Sequence, residues 1–201
     1  MPCLVGVTGG LASGKSTVAV LLGRRGVPVF DADAAVHRLY RSDGAGAAAV
    51  AEAFGNEILS EDGAVDRDVL ANRVVGDEEA MGLLNRVVHP LVRQEVAAWA
   101  ADLGQPVAVV EAALLVETGS YRDYDALIVV WCSPAQQLER ALDRGMDESR
   151  VRGLLDSQLP MAAKCEVADV VIDNSGGPDD LPAAVDRAWL QVLALCRDRC
   201  R

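Results

Sequence analysis

Eight residues near the amino terminus, Gly9-Gly10-Leu11-Ala12-Ser13-Gly14-Lys15-Ser16, match the phosphate-binding pattern G-x-x-x-x-G-K-[ST] at every fixed position. The chemistry follows from the residue types. Glycines let the backbone turn so that successive N–H groups point inward at an anion, which then lies at the positive end of the following helix. Lys15 supplies a mobile charge for the outer phosphates, and the Ser16 hydroxyl is placed to ligate Mg²⁺. The expected nucleotide cradle is therefore Gly10, Leu11, Ala12, Ser13, Gly14, Lys15, Ser16 and Thr17, with Mg²⁺ as cofactor.

Phosphoryl transfer also needs positive charge for the migrating group and a residue to orient or deprotonate the attacking oxygen. Arg140 and Arg144 lie four apart on one helical face and are candidates for the first role; the alternative is a solvated face with ordinary ion pairs. Asp31 and Asp33 follow a short strand, and one carboxylate there can cap the next helix while the other takes a proton; Asp33 is assigned the chemistry. Glu111 ends a later strand and is a candidate to hold magnesium through water, or else a strand-end carboxylate facing solvent. His37 could pair with Asp33, and His89, before Pro90, could bind a substrate phosphate or satisfy a backbone group.

The elements that must position these groups can be read from periodicity. Leu4-Val5-Gly6-Val7 is a buried strand running into the loop, and Val18, Leu21 and Leu22 give the helix behind it, stopped by Gly26. Val27-Pro28-Val29-Phe30 reads as a short edge strand. From Asp43 to Leu103 the pattern is helical: Ala47 to Phe54, Arg67 to Val75, and Glu78 to Ala101 with a kink or break expected near Val88. Strand character returns at Val107 to Glu111, running on toward Glu117, and again at Ala126 to Cys132. Ser133-Pro134-Ala135-Gln136 is a capping box with proline at the first helical position. A helix over Glu148 to Leu155, a last strand over Val170 to Asn174 and a terminal helix from near Asp180 complete the chain.

Alternating strands and helices imply an α/β fold of the P-loop NTPase type: three α/β/α layers around a five-stranded, mainly parallel sheet. The expected organisation is one domain, with a core over 1–42 and 105–201 and a helical acceptor-binding insertion over 43–104.

Composition limits the alternatives. The 201 residues are 51% hydrophobic but only 4% aromatic, so the core must be aliphatic. A net charge of -11 argues against a nucleic-acid partner and leaves nucleotide binding to a local basic site. No apolar run reaches the length of a membrane span, and Met1-Pro2-Cys3 leads straight into the first strand without a signal peptide, so a cytoplasmic protein is expected. Five cysteines, Cys3, Cys132, Cys165, Cys196 and Cys200, are odd in number and form no C-x-x-C pair; reduced thiols are expected. Oligomeric state is left open.

With these residues in view, the chain resembles the dephospho-coenzyme A kinase family. The likeness rests on the phosphate loop, Asp31-Ala32-Asp33, Phe54-Gly55, Asp62-Gly63, Asp66-Arg67, Leu84-Asn85, His89-Pro90, Glu111 through Glu117, Gln137 to Arg140, Gln158 and Ala168-Asp169 to Asn174, in order over about Leu4 to Asn174. The resemblance implies ATP-dependent phosphorylation of the ribose 3′-hydroxyl of dephospho-coenzyme A. It also implies catalytic roles for Asp33, Lys15 and Arg140, a place near the adenine for Asn174, acceptor contacts from Asp33, Arg67, His89, Leu114 and Leu115, and a lid over 148–164 that closes over ATP. With the residue-level reading, Arg144 joins the nucleotide contacts, Glu117 the acceptor contacts, and Ser16 and Glu111 the metal. Four positions depart from the family pattern: Ala113 and Val116 replace a proline and an aromatic residue, Glu111 replaces the usual aspartate, and Lys164 stands where the lid often has arginine. The rival readings are another small P-loop kinase, acting on a nucleoside monophosphate or small alcohol, and a GTP-dependent switch; the switch should carry Asn-Lys-x-Asp, which this chain lacks.

Overall fold

Alternate residues of a strand face opposite sides of a sheet, and in this chain both sides are apolar. The structure, a computed structural model, describes residues 1–177 and 179–199. β1 (Cys3–Gly9) is central in a five-stranded sheet of order β2-β3-β1-β4-β5, formed with β2 (Val29–Asp31), β3 (Val107–Glu111), β4 (Ala126–Trp131) and β5 (Val170–Asp173). β1 pairs in parallel with β3 and β4, and β4 with β5, so β1, β3, β4 and β5 deliver their carboxyl ends to one edge. The expected edge strand is at the edge, where Pro28 offers only its carbonyl, to the Val109 N–H.

Two compact units divide the chain. The first is Met1–Phe30 with Leu103–Arg201, and the second is Asp31–Asp102. In the first, Val5, Val7, Val109, Ile128, Val130 and Ile172 pack under α1 (Lys15–Arg24) and α9 (Leu181–Arg199), through Val18 and Leu22 of the former and Val185, Ala188 and Val192 of the latter. Ala108, Val110, Leu127 and Val129, on the opposite sheet face, are buried as well. The expected aliphatic core is observed.

The second unit contains α2 (Ala32–Leu39), α3 (Ala45–Phe54), α4 (Arg67–Val74) and α5 (Glu78–Ala101). Ala47, Val50, Ile58, Leu70, Val74 and Val88 form its core, and Val36 and Tyr40 pack against it. That packing moves the boundary: the helix over 32–39 belongs with the helical unit, which starts at Asp31 and not at residue 43. The break expected near Val88 is also absent, since α5 runs unbroken through Pro90. Proline removes one hydrogen bond from the ladder, and burial of Val88 and Val96 on either side holds the helix together.

Other differences lie in the first unit. β3 ends at Glu111; after one further bond from the Ala112 N–H to the Val7 carbonyl, the chain turns, with the Thr118 N–H donating to the Leu114 carbonyl. The apolar run Leu114-Leu115-Val116 is thus a turn segment, with Leu115 buried beneath it. The capping box closes as expected on α6 (Pro134–Asp143), α7 spans Glu148–Asp156, and an unforeseen helix, α8 (Met161–Glu166), follows.

The expectation of reduced thiols fails at one pair. Cys3 and Cys196 are joined by a disulfide, their Cα atoms 5.9 Å apart across a separation of 193 residues. The two meet because the start of β1 and the last turns of α9 share one core. Cys132 and Cys165 are free thiols, each held above the ordinary thiol range by burial, and Cys200 lies outside the described residues.

Candidate active site

The loop joins β1 to α1, and its shape depends on two glycines. Gly14, the residue before α1, has φ 100°, a left-handed conformation that glycine adopts without steric cost. A Cβ on Gly10 would run into the Gln137 amide and the Met161 sulfur, so only glycine lets α6 and α8 approach the loop. The turn is closed by the Ser13 N–H on the Gly10 carbonyl at 3.1 Å and by the Val18 N–H on the Gly14 carbonyl at 3.0 Å. Around it lies an open cleft of about 220 Å³, lined by Gly10 through Thr17 together with Ala113, Arg144 and Gln158. All eight residues expected to cradle the nucleotide line this one cleft.

At its floor sits a compact polar cluster. Glu111, 6% exposed at the end of β3, accepts the Ser16 hydroxyl at 2.6 Å and the Lys15 ammonium at 3.1 Å on the same oxygen, Oε1. Strand pairing explains the meeting, because Val7 is in register with Glu111 and the loop begins just beyond Val7. A hydroxyl and a carboxylate brought together are hard oxygen donors suited to Mg²⁺, which completes its shell with phosphate oxygens and water. The residues therefore fit the metal the motif implies.

The two arginines take different places. Arg144 caps the end of α6 and lines the cleft. Arg140, one turn earlier, donates to the Asn174 carbonyl at 2.8 Å, and the Asn174 amide donates to the Ser13 carbonyl at 2.8 Å. Among the described residues lining the cleft, Arg144 is present and Arg140 is not. Arg140 supports the loop through Asn174, whereas Arg144 is the guanidinium at the phosphate cleft.

Half-buried Glu117 pairs with buried Lys164. Lys164 is fully buried, with its ammonium 2.5 Å from Glu117 Oε1, and that oxygen also accepts the Leu159 N–H at 3.2 Å. Lys164 and the Leu159 N–H thus tie α8 and the turn before it to Glu117. Leu115 packs into the core while Leu114 is 45% exposed, so only the latter presents an apolar surface to solvent.

In the helical unit, Asp31 is the cap of α2, accepting the Ala34 N–H at 2.8 Å, which leaves Asp33 exposed in the first turn. Arg67 opens α4 behind the Asp66 cap, and its charge partly offsets the burial that pushes the Tyr40 phenol up to about 12. His37 is exposed and His89 half-buried. Gln137 and Gln158, which belong to the sequence pattern but carry no role from it, both hydrogen-bond the loop residue Leu11. No local spacing links them to the loop, so the sequence offers no signal for that contact.

The dephospho-CoA kinase family profile matches residues 3–180, nearly the whole chain. The chain belongs to the dephospho-CoA kinase family. Members similar to it include the dephospho-CoA kinases of Bradyrhizobium diazoefficiens, 40% identical over 98% of each chain, and Corynebacterium glutamicum, 40% identical over 94% of this chain and 98% of that one. Among solved structures, TT1252 from Thermus thermophilus superposes with TM-score 0.80 at 31% identity, covering 96% of this chain and 97% of its own. The dephospho-CoA kinase of Campylobacter jejuni, at 23% identity and TM-score 0.66 over 96% of this chain and 98% of its own, shares the fold. Membership in the dephospho-CoA kinase family accounts for the phosphate loop and for the kinase fold around it, and makes this chain an enzyme of coenzyme A biosynthesis that uses ATP.

Proposed function

We propose that the chain transfers the γ-phosphoryl group of ATP to the ribose 3′-hydroxyl of dephospho-coenzyme A, with Asp33 as the group that takes the hydroxyl proton. The observation that carries this reading is the cleft built on Lys15, Ser16, Glu111 and Arg144 in a chain of this family. As the acceptor oxygen bonds to the γ-phosphorus, the bond from that phosphorus to the bridging oxygen breaks, and the electron pair stays on ADP. Lys15 and Arg144 oppose the charge spread over the transferring group, and the loop N–H groups hold the β-phosphate. Ser16 and Glu111 would hold Mg²⁺, which neutralises phosphate charge when bound. Lys15 rests on Glu111, and an incoming triphosphate gives that ammonium a second anion.

Asp33 is assigned the proton transfer as the exposed carboxylate in the first turn of α2, where Asp31 is the cap. Arg67, His89 and Leu114 are assigned to the acceptor, and Asn174 to the adenine side of the nucleotide, with Arg140 holding Asn174 in place. The turn and helices over 148–164 act as the lid that excludes water, which would otherwise compete as the phosphoryl acceptor.

The test is turnover of ATP, Mg²⁺ and dephospho-coenzyme A by wild type and by Asp33→Asn, with phosphorus NMR locating the new phosphate. Wild type should form the 3′-phosphate, and Asp33→Asn should lose roughly 10²- to 10⁴-fold in kcat with ATP affinity unchanged. Faster turnover of a nucleoside monophosphate would sink the choice of acceptor. Equal loss of ATP binding in Asp33→Asn would make that residue a support and not the proton acceptor.

A further inference from the structure

Leu11, the third residue of the phosphate loop, is gripped by two side-chain amides. Gln137, 3% exposed in α6, donates Nε2 to the Leu11 carbonyl at 2.9 Å. Gln158, in the turn between α7 and α8, accepts the Leu11 N–H on Oε1 at 2.9 Å. Both polar groups of one loop residue are therefore satisfied by partners 126 and 147 residues away in sequence. Gln158 is itself fixed, since its neighbour Leu159 donates to Glu117 Oε1, the oxygen that the buried Lys164 also holds.

The next residue explains what such a grip is for. Ala12 has φ 54°, the one non-glycine residue with positive φ among those described. A side-chain-bearing residue in this region persists only where its surroundings over-determine it, and such residues gather at functional sites. The Leu11 carbonyl belongs to the peptide plane whose rotation sets the Ala12 φ. Fixing that oxygen and the Leu11 N–H together therefore holds the left-handed turn.

We propose that Gln137 and Gln158 are positioning residues for phosphoryl transfer: as a two-amide clamp on Leu11 they keep Ala12 left-handed, and the loop N–H groups aimed inward, before the nucleotide arrives. The proposal rests on the reading that the loop binds ATP. It makes the base of the lid part of the phosphate site, because the turn that carries Gln158 also lines the cleft.

The experiment compares ATP affinity by calorimetry, and KM for each substrate, in wild type, Gln137→Ala, Gln158→Ala and the same changes in an Ala12→Gly background. Each amide removal should weaken ATP binding about 3- to 10-fold, the worth of one neutral hydrogen bond, with KM for dephospho-coenzyme A unmoved. In the Ala12→Gly background the loss should shrink to under about twofold, because glycine takes the left-handed conformation without a clamp. The same loss in both backgrounds would overturn the proposal, leaving two contacts unrelated to loop shape. Tighter ATP binding in Gln158→Ala would overturn it as well, by showing that this amide blocks the nucleotide. Gln158 is half-buried, so its variant carries the test should Gln137→Ala fail to fold. Wild type that binds no ATP would overturn the nucleotide reading itself, whereas ATP bound equally by all variants would overturn the clamp alone.

Discussion

The two units are held in shape by opposite means. In the unit that carries the phosphate loop, the loop backbone is fixed by side chains that arrive from afar: Gln137, Gln158 and Asn174 reach it across 126, 147 and 161 residues. In the helical unit the helix starts are fixed locally. Asp31, Asp66 and Asp77 cap α2, α4 and α5 by accepting N–H groups two or three residues on, and a single aliphatic cluster joins the helices. Phosphate chemistry thus depends on closure of the whole sheet, while the helical unit depends on rules that operate within each helix. A substitution should therefore announce its unit by what it disturbs: nucleotide affinity in the one, helix stability and acceptor affinity in the other.

The largest break in that comparison comes from Lys15→Ala. The Lys15 ammonium pairs with Glu111 at 3.1 Å, and Lys15 lines the cleft together with Ser16. Its loss should cut kcat by roughly 10²- to 10³-fold, the cost of removing one preorganised donor to a developing charge, and should weaken ATP binding too. KM for dephospho-coenzyme A should hold. Isothermal titration with ATP beside steady-state kinetics checks both, and a rate equal to wild type would contradict the account of the loop.

The same contrast decides what was legible in the sequence. The phosphate loop, the capping box at Ser133 and the assignment of Asp31 to the cap and Asp33 to the chemistry all rest on short spacings, and the loop, capping box and Asp31 cap are observed. The Arg140 and Arg144 pair was legible as a pair but not as two roles, because the helix ends between them at Asp143 and only the tertiary fold lays Arg140 on Asn174. The run Leu114-Leu115-Val116 looks like strand because apolar runs do, yet the chain has already turned after Glu111. The Gln137 and Gln158 clamp and the disulfide are invisible to any local pattern. Cys196 and Cys200 draw the eye by their helical spacing, whereas the partner of Cys196 lies at the other end of the chain.

That disulfide gives the next largest effect. Joining residues 193 apart restricts nearly the whole unfolded chain, so Cys196→Ser should cost about 2–4 kcal/mol, seen as a lower midpoint of thermal unfolding. Wild type treated with a reductant should fall to the same midpoint, and the variant should then be insensitive to reductant. ATP affinity should barely change, because Cys3 and Cys196 lie at the start of β1 and the end of α9, while the loop begins where β1 ends. A wild-type midpoint indifferent to reductant would show that the bond does not form in solution.

The smallest effect sharpens the comparison most finely, because it acts through one helix end. Asp66 accepts the N–H groups of Asp68 and Val69 at 3.0 and 3.1 Å, tying down the first turn of α4, whose Leu70 and Val74 sit in the helical core. Asp66→Ala should cost about 1 kcal/mol, and Asp66→Asn, which keeps an acceptor, much less. Arg67 opens that same turn, so fraying it should raise KM for dephospho-coenzyme A by a few fold. ATP affinity should stay at the wild-type value, the reverse of what is expected for Gln158→Ala. Equal losses toward both substrates in Asp66→Ala would mean that the helical unit also shapes the nucleotide site, and that local capping and long-range closure are not separable in this fold.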